Sequence, residues 1–343
     1  MTLEAAFRIK QVPKVFVSPN VVILTIGQLP SVCRKETMNA SDLNKLKKIF
    51  SALELPMNPD ESLNYDAFGQ LIEYELSIGV EGFYCMGSSG EALLLSLEER
   101  KQALEKIVQI VSGRVPVIAH VGTIRTQDAV ALARHAAAAG VDAISMIPPY
   151  YYKFSMEEII RYYEMVCELV PDIGMIVYNI PQFTGIEFNK ENAGRLLSNP
   201  QIIGVKHTSN NLYALERMKA AYPDKVFFNG FDEQLVGAFA MGADATIGTT
   251  VNVFAPLFRE ARRLFCTEET AQAFAIQHEL NHYVETMCQV GIFSAVKYIL
   301  TRHGIPMGTC RCPFHPLSRE ECAKLDQLVN RYDQFRANHP LQA

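Results

Sequence analysis

The chain reads as an α/β protein, a (β/α)8 TIM barrel followed by a C-terminal helical extension. Three observations predict this. From residue 49 onward, eight short β-rich apolar runs alternate with longer stretches of helical periodicity, the pattern of repeated βα units on a parallel sheet. The 343 residues, 49% of them hydrophobic, are enough for one barrel of roughly 250 residues and an appendage. No G-x-G-x-x-G follows the first run, so the open dinucleotide-binding sheet loses its main support.

The eight strands are expected at 49–55, 82–86, 116–121, 143–147, 174–179, 202–208, 225–230 and 245–249, each short and apolar, as strands covered on both faces must be. Helical periodicity fills 65–78, 96–111, 126–138, 157–169 and 212–220 between them. After Thr250 the pattern turns wholly helical, at 256–265, 268–289, 292–302 and 318–336. The expected domains are therefore a barrel catalytic domain over 38–255 and a helical region over 256–343. Residues 1–37 match none of this periodicity and read as a dispensable N-terminal extension, with Met38 a possible true start.

The formal net charge is -5, with both signs interspersed and no basic run. That composition argues against nucleic acid or an anionic membrane as the main partner and leaves a small-molecule ligand. The eight cysteines are scattered, and Cys85 and Cys167 fall inside core patterns, which fits free thiols in a reducing, cytoplasmic compartment. No run of about 18 apolar residues predicts a spanning helix. The apolar-rich stretch 16–32 is broken by Ser18, Pro19, Asn20 and the segment 27–30 and lacks the layout of a secretory signal.

The chemistry gathers at the carboxyl ends of the strands, where barrels of this kind hold their active groups. Lys206 stands at the polar end of a buried apolar run. A lysine held in a low-dielectric site is disfavoured as an ammonium, and the free amine can attack a carbonyl. The plain alternative is a strand-end lysine that snorkels to solvent. Around the same mouth the sequence places Ser88-Ser89-Gly90-Glu91, Tyr150-Tyr151-Tyr152, Tyr178-Asn179-Ile180-Pro181, Gly230-Phe231-Asp232-Glu233 and Gly248-Thr249-Thr250. Singly, each has an ordinary reading as a turn, a rim residue or a helix-end charge.

Together these residues suit one reaction type. Lys206 forms an imine with a ketone, and the protonated imine is an electron sink for an adjacent carbon–carbon bond. The Tyr178 phenol, one strand away, is placed to shuttle protons, and Thr208 shares a face with Lys206 and joins that relay. Amides around Ser88 and Ser89, in a turn expected to open a helix, suit a carboxylate. Asp232 and Glu233 are acceptors for sugar hydroxyls.

With Gly87-Ser88-Ser89-Gly90-Glu91, Tyr178-Asn179-Ile180-Pro181, Gly204-Val205-Lys206-His207-Thr208-Ser209 and Asn229-Gly230-Phe231-Asp232-Glu233, the sequence resembles the N-acetylneuraminate lyase and dihydrodipicolinate synthase family of class I aldolases over roughly 48–335. The resemblance implies a homotetrameric barrel in which Lys206 is the Schiff-base lysine and Tyr178 the proton donor. Ser89 and Tyr151 would assist, with Tyr151 reaching into a neighbouring subunit's site. No cofactor beyond the covalent Schiff base and no metal is implied.

The synthase branch carries an arginine before the Thr-Gly that follows Tyr-Asn-x-Pro; here Phe183 precedes Thr184-Gly185. With Lys206-x-Thr208, Asp232-Glu233 and the tyrosine run, the chain is more similar to the sialic acid lyases. That implies sialic acid, pyruvate and N-acetylmannosamine as ligands, a carboxylate on Ser88 and Ser89, and a polyol tail on Gly230, Asp232, Glu233 and Thr249. His207 departs from the family's expected glutamine, but its side chain should point away from the mouth. The alternatives are a related 2-keto acid lyase or synthase that condenses pyruvate with an aldehyde, and a non-catalytic sensor of pyruvate-like ligands.

Two further motifs are weaker. His278-Glu279-Leu280-Asn281-His282 satisfies H-E-x-x-H, but no third ligand follows at a suitable spacing. Cys310-Arg311-Cys312, near His303 and His315, is tighter than structural zinc spacing. Lys153 and Lys297 are other amines, read as solvated or structural.

Overall fold

A computed structural model describes residues 43–339; the expected extension over 1–37 lies outside the described residues. Eight strands close a barrel in the order β1 to β8: β1 Ile49–Ala52, β2 Gly82–Cys85, β3 Val117–His120, β4 Ala143–Met146, β5 Met175–Asn179, β6 Ile202–His207, β7 Val226–Asn229 and β8 Ala245–Gly248. Every pairing is parallel, including the closing one, where Ser51 on β1 lies beside Gly248 on β8. The strands are shorter than the apolar runs, because in all but β5 the last residues of the run leave the ladder to form the mouth.

Side-chain alternation sorts the strand residues into two buried layers. Phe50, Tyr84, Ile118, Ile176, Tyr178 and Phe228 fill the barrel. Ile49, Phe83, Val117, Met175, Val177 and Phe227 point outward against the helices. On β6 the alternation breaks: Ile203 packs inside while Val205, two residues on, packs outside. The pairing of β5 with β6 shifts register there, from Met175 opposite Ile202 to Ile176 opposite Gly204. One extra residue in a strand re-aims everything after it. The shift turns Lys206 into the barrel, directly beside Tyr178.

The helices between strands are α1 Ala67–Ser77, α2 Leu97–Val111, α3 Thr126–Ala139, α4 Met156–Leu169, the short α5 Pro181–Thr184 and α6 Gly194–Leu197, α7 Leu212–Ala221 and α8 Leu235–Ala240. After β8 come α9 Val251–Cys266, α10 Thr270–Val290, α11 Ile292–Arg302 and α12 Arg319–Asn338. Helices α2, α4 and α12 each begin with a reciprocal capping box, Ser96 with Glu99, Ser155 with Glu158 and Ser318 with Glu321.

The boundary expected at 255/256 falls inside α9. Proline at 256 reads locally as a helix start, since it lacks the N–H that an interior position needs. Here the helix bends at Phe254 and runs through Pro256. Asn252 anchors its first turn to the barrel: its amide donates to the carbonyls of Ala52 at 2.9 Å and Thr249 at 2.7 Å, and its oxygen accepts the Glu54 N–H at 3.1 Å. No helix among the described residues is long and apolar enough to cross a membrane.

Candidate active site

A cavity of about 280 Å3 opens at the carboxyl ends of the strands. Its wall includes Ser88, Ser89, Tyr178, Lys206, Thr208, Gly230, Asp232, Glu233 and Thr249, so nine of the ten expected site residues share one space. The tenth, Tyr151, does not line it. Its ring is 86% exposed, stacks edge-on against Tyr152 at 5.1 Å, and its backbone takes a φ of 76° that turns it out of its own barrel.

Lys206 is 4% exposed, and the snorkelling alternative fails on that burial. Its Nζ lies between two phenol rings, 4.1 Å from the centroid of Tyr178 and 4.2 Å from that of Tyr84. Burial lowers the amine to about 7, and the field of Asp232 opposes that shift only in part. Near neutral pH a large share of Lys206 is therefore uncharged and nucleophilic.

The Tyr178 phenol is pushed up to about 12 by burial, with the Thr208 and Ser88 hydroxyls pulling the other way. Thr208 Oγ1 lies near enough to polarise the phenol, yet closes no well-aligned hydrogen bond among the described residues. A phenol that stays protonated can donate, and a neighbouring hydroxyl with spare capacity can pass the proton on. Behind Tyr178, His120 stands edge-on at 6.1 Å. Its Nδ1 is 3.0 Å from the Met86 carbonyl, and its Nε2 accepts the Ile147 N–H at 3.3 Å, which together require one neutral tautomer. Burial keeps this imidazole well below its usual range. It braces the ring.

Ser88 and Ser89 occupy a turn after β2, and Ser89 Oγ lies 2.9 Å from Thr249 Oγ1. The expectation that this turn opens a helix is corrected. Glu91 adopts a left-handed φ of 52°, which cannot begin an α-helix, so only a single 3-10 turn, Ala92–Leu94, follows it. The helix proper starts after its cap at Ser96. Any carboxylate held here meets turn amides and hydroxyls instead of a helix terminus.

Asp232 is buried and raised to about 6, chiefly by desolvation. Its Oδ2 accepts the N–H of Thr250 at 2.8 Å and its hydroxyl at 2.7 Å, while Oδ1 has no partner among the described residues. A side chain at Gly248 would collide with that oxygen, and one at Gly230 with Thr208 Oγ1, so both glycines make room for the polar groups of the mouth. Glu233 sits further out and is exposed, with partial desolvation still raising its carboxyl.

His207 points outward, as expected. Its Nδ1 is 3.1 Å from the Asn179 amide and its Nε2 3.0 Å from the Asn211 carbonyl, and burial lowers it to about 4. The residues that sequence reasoning missed come from two sources. Tyr84 and Ala52 point inward below the strand ends, legible in principle from the alternation of β2 and β1. Val284 and Cys288 on α10, with Ile292 and Phe293 on α11, close the cavity from the C-terminal helices, and no local pattern signals that.

The two metal motifs find other uses. Glu279 is held by Arg331 at 2.7 and 2.8 Å, and Cys310 Sγ accepts from Ser294 at 3.5 Å. Among the described residues no group of three or more His, Cys, Asp and Glu could hold a metal ion. Lys153 is exposed, and Lys297 is buried in an ion pair with Glu91.

A parallel eightfold barrel with a buried, partly uncharged lysine and a facing phenol at its mouth defines a lyase of the aldolase type. The dihydrodipicolinate synthetase family matches residues 45–332, and the chain belongs to that family. It is 41% identical over 285 residues to the N-acetylneuraminate lyase of Rhizobium meliloti (strain 1021), covering 83% of this chain and 95% of that protein. Among solved structures, the N-acetylneuraminate lyase of Fusobacterium nucleatum complexed with pyruvate aligns with a TM-score of 0.81 and 34% identity, over 84% of this chain and 98% of that one. The CdNal structure from Clostridium difficile in complex with mannosamine aligns equally well, at 0.81 and 34% identity, over 83% and 98%.

Proposed function

We infer that the chain is a Schiff-base aldolase that cleaves N-acetylneuraminate reversibly to N-acetylmannosamine and pyruvate. The observation that carries the chemistry is Lys206, a buried amine lowered to about 7 and flanked by Tyr178. The substrate reading is supported by the relatives that carry this activity in their names. Phe183 at the rim also supports it, since an apolar ring there cannot bind the second carboxylate that a synthase must hold.

In the cleavage direction the free amine of Lys206 attacks the ketone of the open-chain keto acid, and loss of water gives the protonated imine. The carboxylate rests on the Ser88 and Ser89 turn, and the polyol tail on the Gly230 backbone, Asp232, Glu233 and Thr249. Tyr178, aided by Thr208, Ser89 and Tyr151, relays the proton lost from the C4 hydroxyl as the C3–C4 bond breaks. N-acetylmannosamine departs with a new carbonyl at the former C4, and the bonding electrons pass into the imine to leave an enamine. Protonation at carbon and addition of water then release pyruvate and restore the amine. This sequence needs no cofactor or metal.

The role for Tyr151 goes with a homotetramer in which it enters a neighbouring copy's mouth; its exposure and outward-turned backbone support this. The seven cysteines among the described residues are free, which supports a reducing, cytoplasmic setting. Borohydride reduction with pyruvate should add a stable pyruvyl mass at Lys206, and N-acetylneuraminate should release pyruvate. Absence of the adduct would refute the mechanism, and turnover of a different keto acid alone would refute the substrate. Light scattering tests the tetramer.

A further inference from the structure

Beneath the carboxylate turn lies a second buried amine that the cleavage chemistry does not use. Lys297 on α11 is 1% exposed, and its ammonium meets Glu91, 3% exposed, in an ion pair that closes the space between α11 and the turn. The other oxygen of Glu91 accepts the Arg311 N–H at 2.7 Å, and Lys297 also donates to the Thr309 carbonyl at 3.3 Å. The Arg311 guanidinium extends the contact outward, to the carboxylate of Glu99 at 2.6 Å and the carbonyls of Leu94 at 2.8 Å and Glu61 at 2.6 Å. The region after the barrel therefore grips the turn at its far end and the segment that follows it.

The turn needs such a grip. Met86 and Glu91, at its two ends, have φ of 62° and 52°, a region that residues other than glycine rarely enter and hold only when their surroundings impose it. Between them stand Ser88, which acts on the Tyr178 phenol, and Ser89, which meets Thr249. A buried ion pair adds little net stability, because desolvation offsets much of the attraction. Glu54, at the end of β1, shares the chamber with both carboxylate oxygens unpartnered among the described residues, so the space is not arranged for stability alone.

We propose that Glu91 and Lys297 are positioning residues for the reaction: their ion pair, bolted to Arg311, fixes Ser88 and Ser89 where they receive the carboxylate of the keto acid. Neither touches the substrate. The proposal rests on the reading of Lys206 as the imine lysine and of this turn as the carboxylate cradle.

Borohydride trapping at Lys206 with two ketones, pyruvate and acetone, separates cradle from nucleophile. In Glu91→Gln, trapping by pyruvate should slow at least tenfold while trapping by acetone stays within twofold of the parent protein, because the amine is intact and only the carboxylate's seat has moved. The double variant Glu91→Gln/Lys297→Gln removes both charges of the pair and should give the same split if the single variant folds poorly. Equal slowing of both ketones would mean a general loosening of the barrel and would overturn the proposal, as would unchanged pyruvate selectivity. Failure of the parent protein to trap pyruvate would instead refute the reading of Lys206.

Discussion

The mouth of the barrel and the chamber behind its carboxylate turn each bury one lysine, and they treat it in opposite ways. Lys297 is matched by Glu91 and the Thr309 carbonyl. Lys206 lies between two phenol rings, with Asp232 near enough to be felt but with its Oδ2 committed to Thr250. Burial alone therefore does not make a nucleophile. What does is that, among the described residues, no carboxylate pairs with Lys206, so the desolvation cost falls on the ammonium and favours the free amine.

The strongest way to break this contrast is to remove each amine in turn. Lys206→Met should lower pyruvate release by roughly four orders of magnitude or more, as loss of a covalent nucleophile does, and abolish the borohydride adduct. The same change should stabilise the fold by about 4 kcal/mol near pH 7. The sign follows from the lowered amine: between about 7 and its ordinary 10.5 the unfolded chain binds the proton and the folded one does not. Stability of the parent therefore rises with pH across that window, and the advantage of Lys206→Met shrinks towards its upper end. Thermal melts at several pH values check this.

Tyr178→Phe keeps the ring beside Lys206 and removes the proton relay. It should reduce kcat by roughly 10^2–10^4-fold, with pyruvate still trapped on the lysine; mass spectrometry after reduction reads the difference. Lys297→Met should act on stability with the opposite sign from Lys206→Met. It strands the Glu91 charge, and breaking a buried pair from one side costs about 3–5 kcal/mol, visible as a lower urea midpoint. The mildest test leaves the sequence alone. With the free enzyme's amine at about 7, kcat/KM should fall about tenfold from pH 8 to pH 6 as Lys206 takes up its proton; a flat profile over that range would show that the amine is not so depressed.

Much of the barrel was legible because strands buried on both faces must be short apolar runs, and six of the eight here end in polar residues that the mouth uses. The positions of Lys206, Tyr178, Asp232 and the Ser88-Ser89 turn could be read from those ends. The shift of register on β6 could not, because nothing in Ile202-Ile203-Gly204-Val205 distinguishes an extra residue from a regular strand. Yet that shift aims Lys206 inward. Equally invisible were Val284 and Phe293, which close the cavity from helices about 80 residues downstream of the lysine, and the helix at Val251 that continues through Pro256.

The sequence by itself determined the eight βα units, the residues offered at each strand end and the family to which they belong, because hydrophobic periodicity and turn chemistry are local. The tertiary structure alone decided that, among the described residues, Lys297 is paired with a carboxylate and Lys206 is not. An amine's protonation depends on the water excluded and the charges gathered around it, and at both sites those come from segments far apart in the chain.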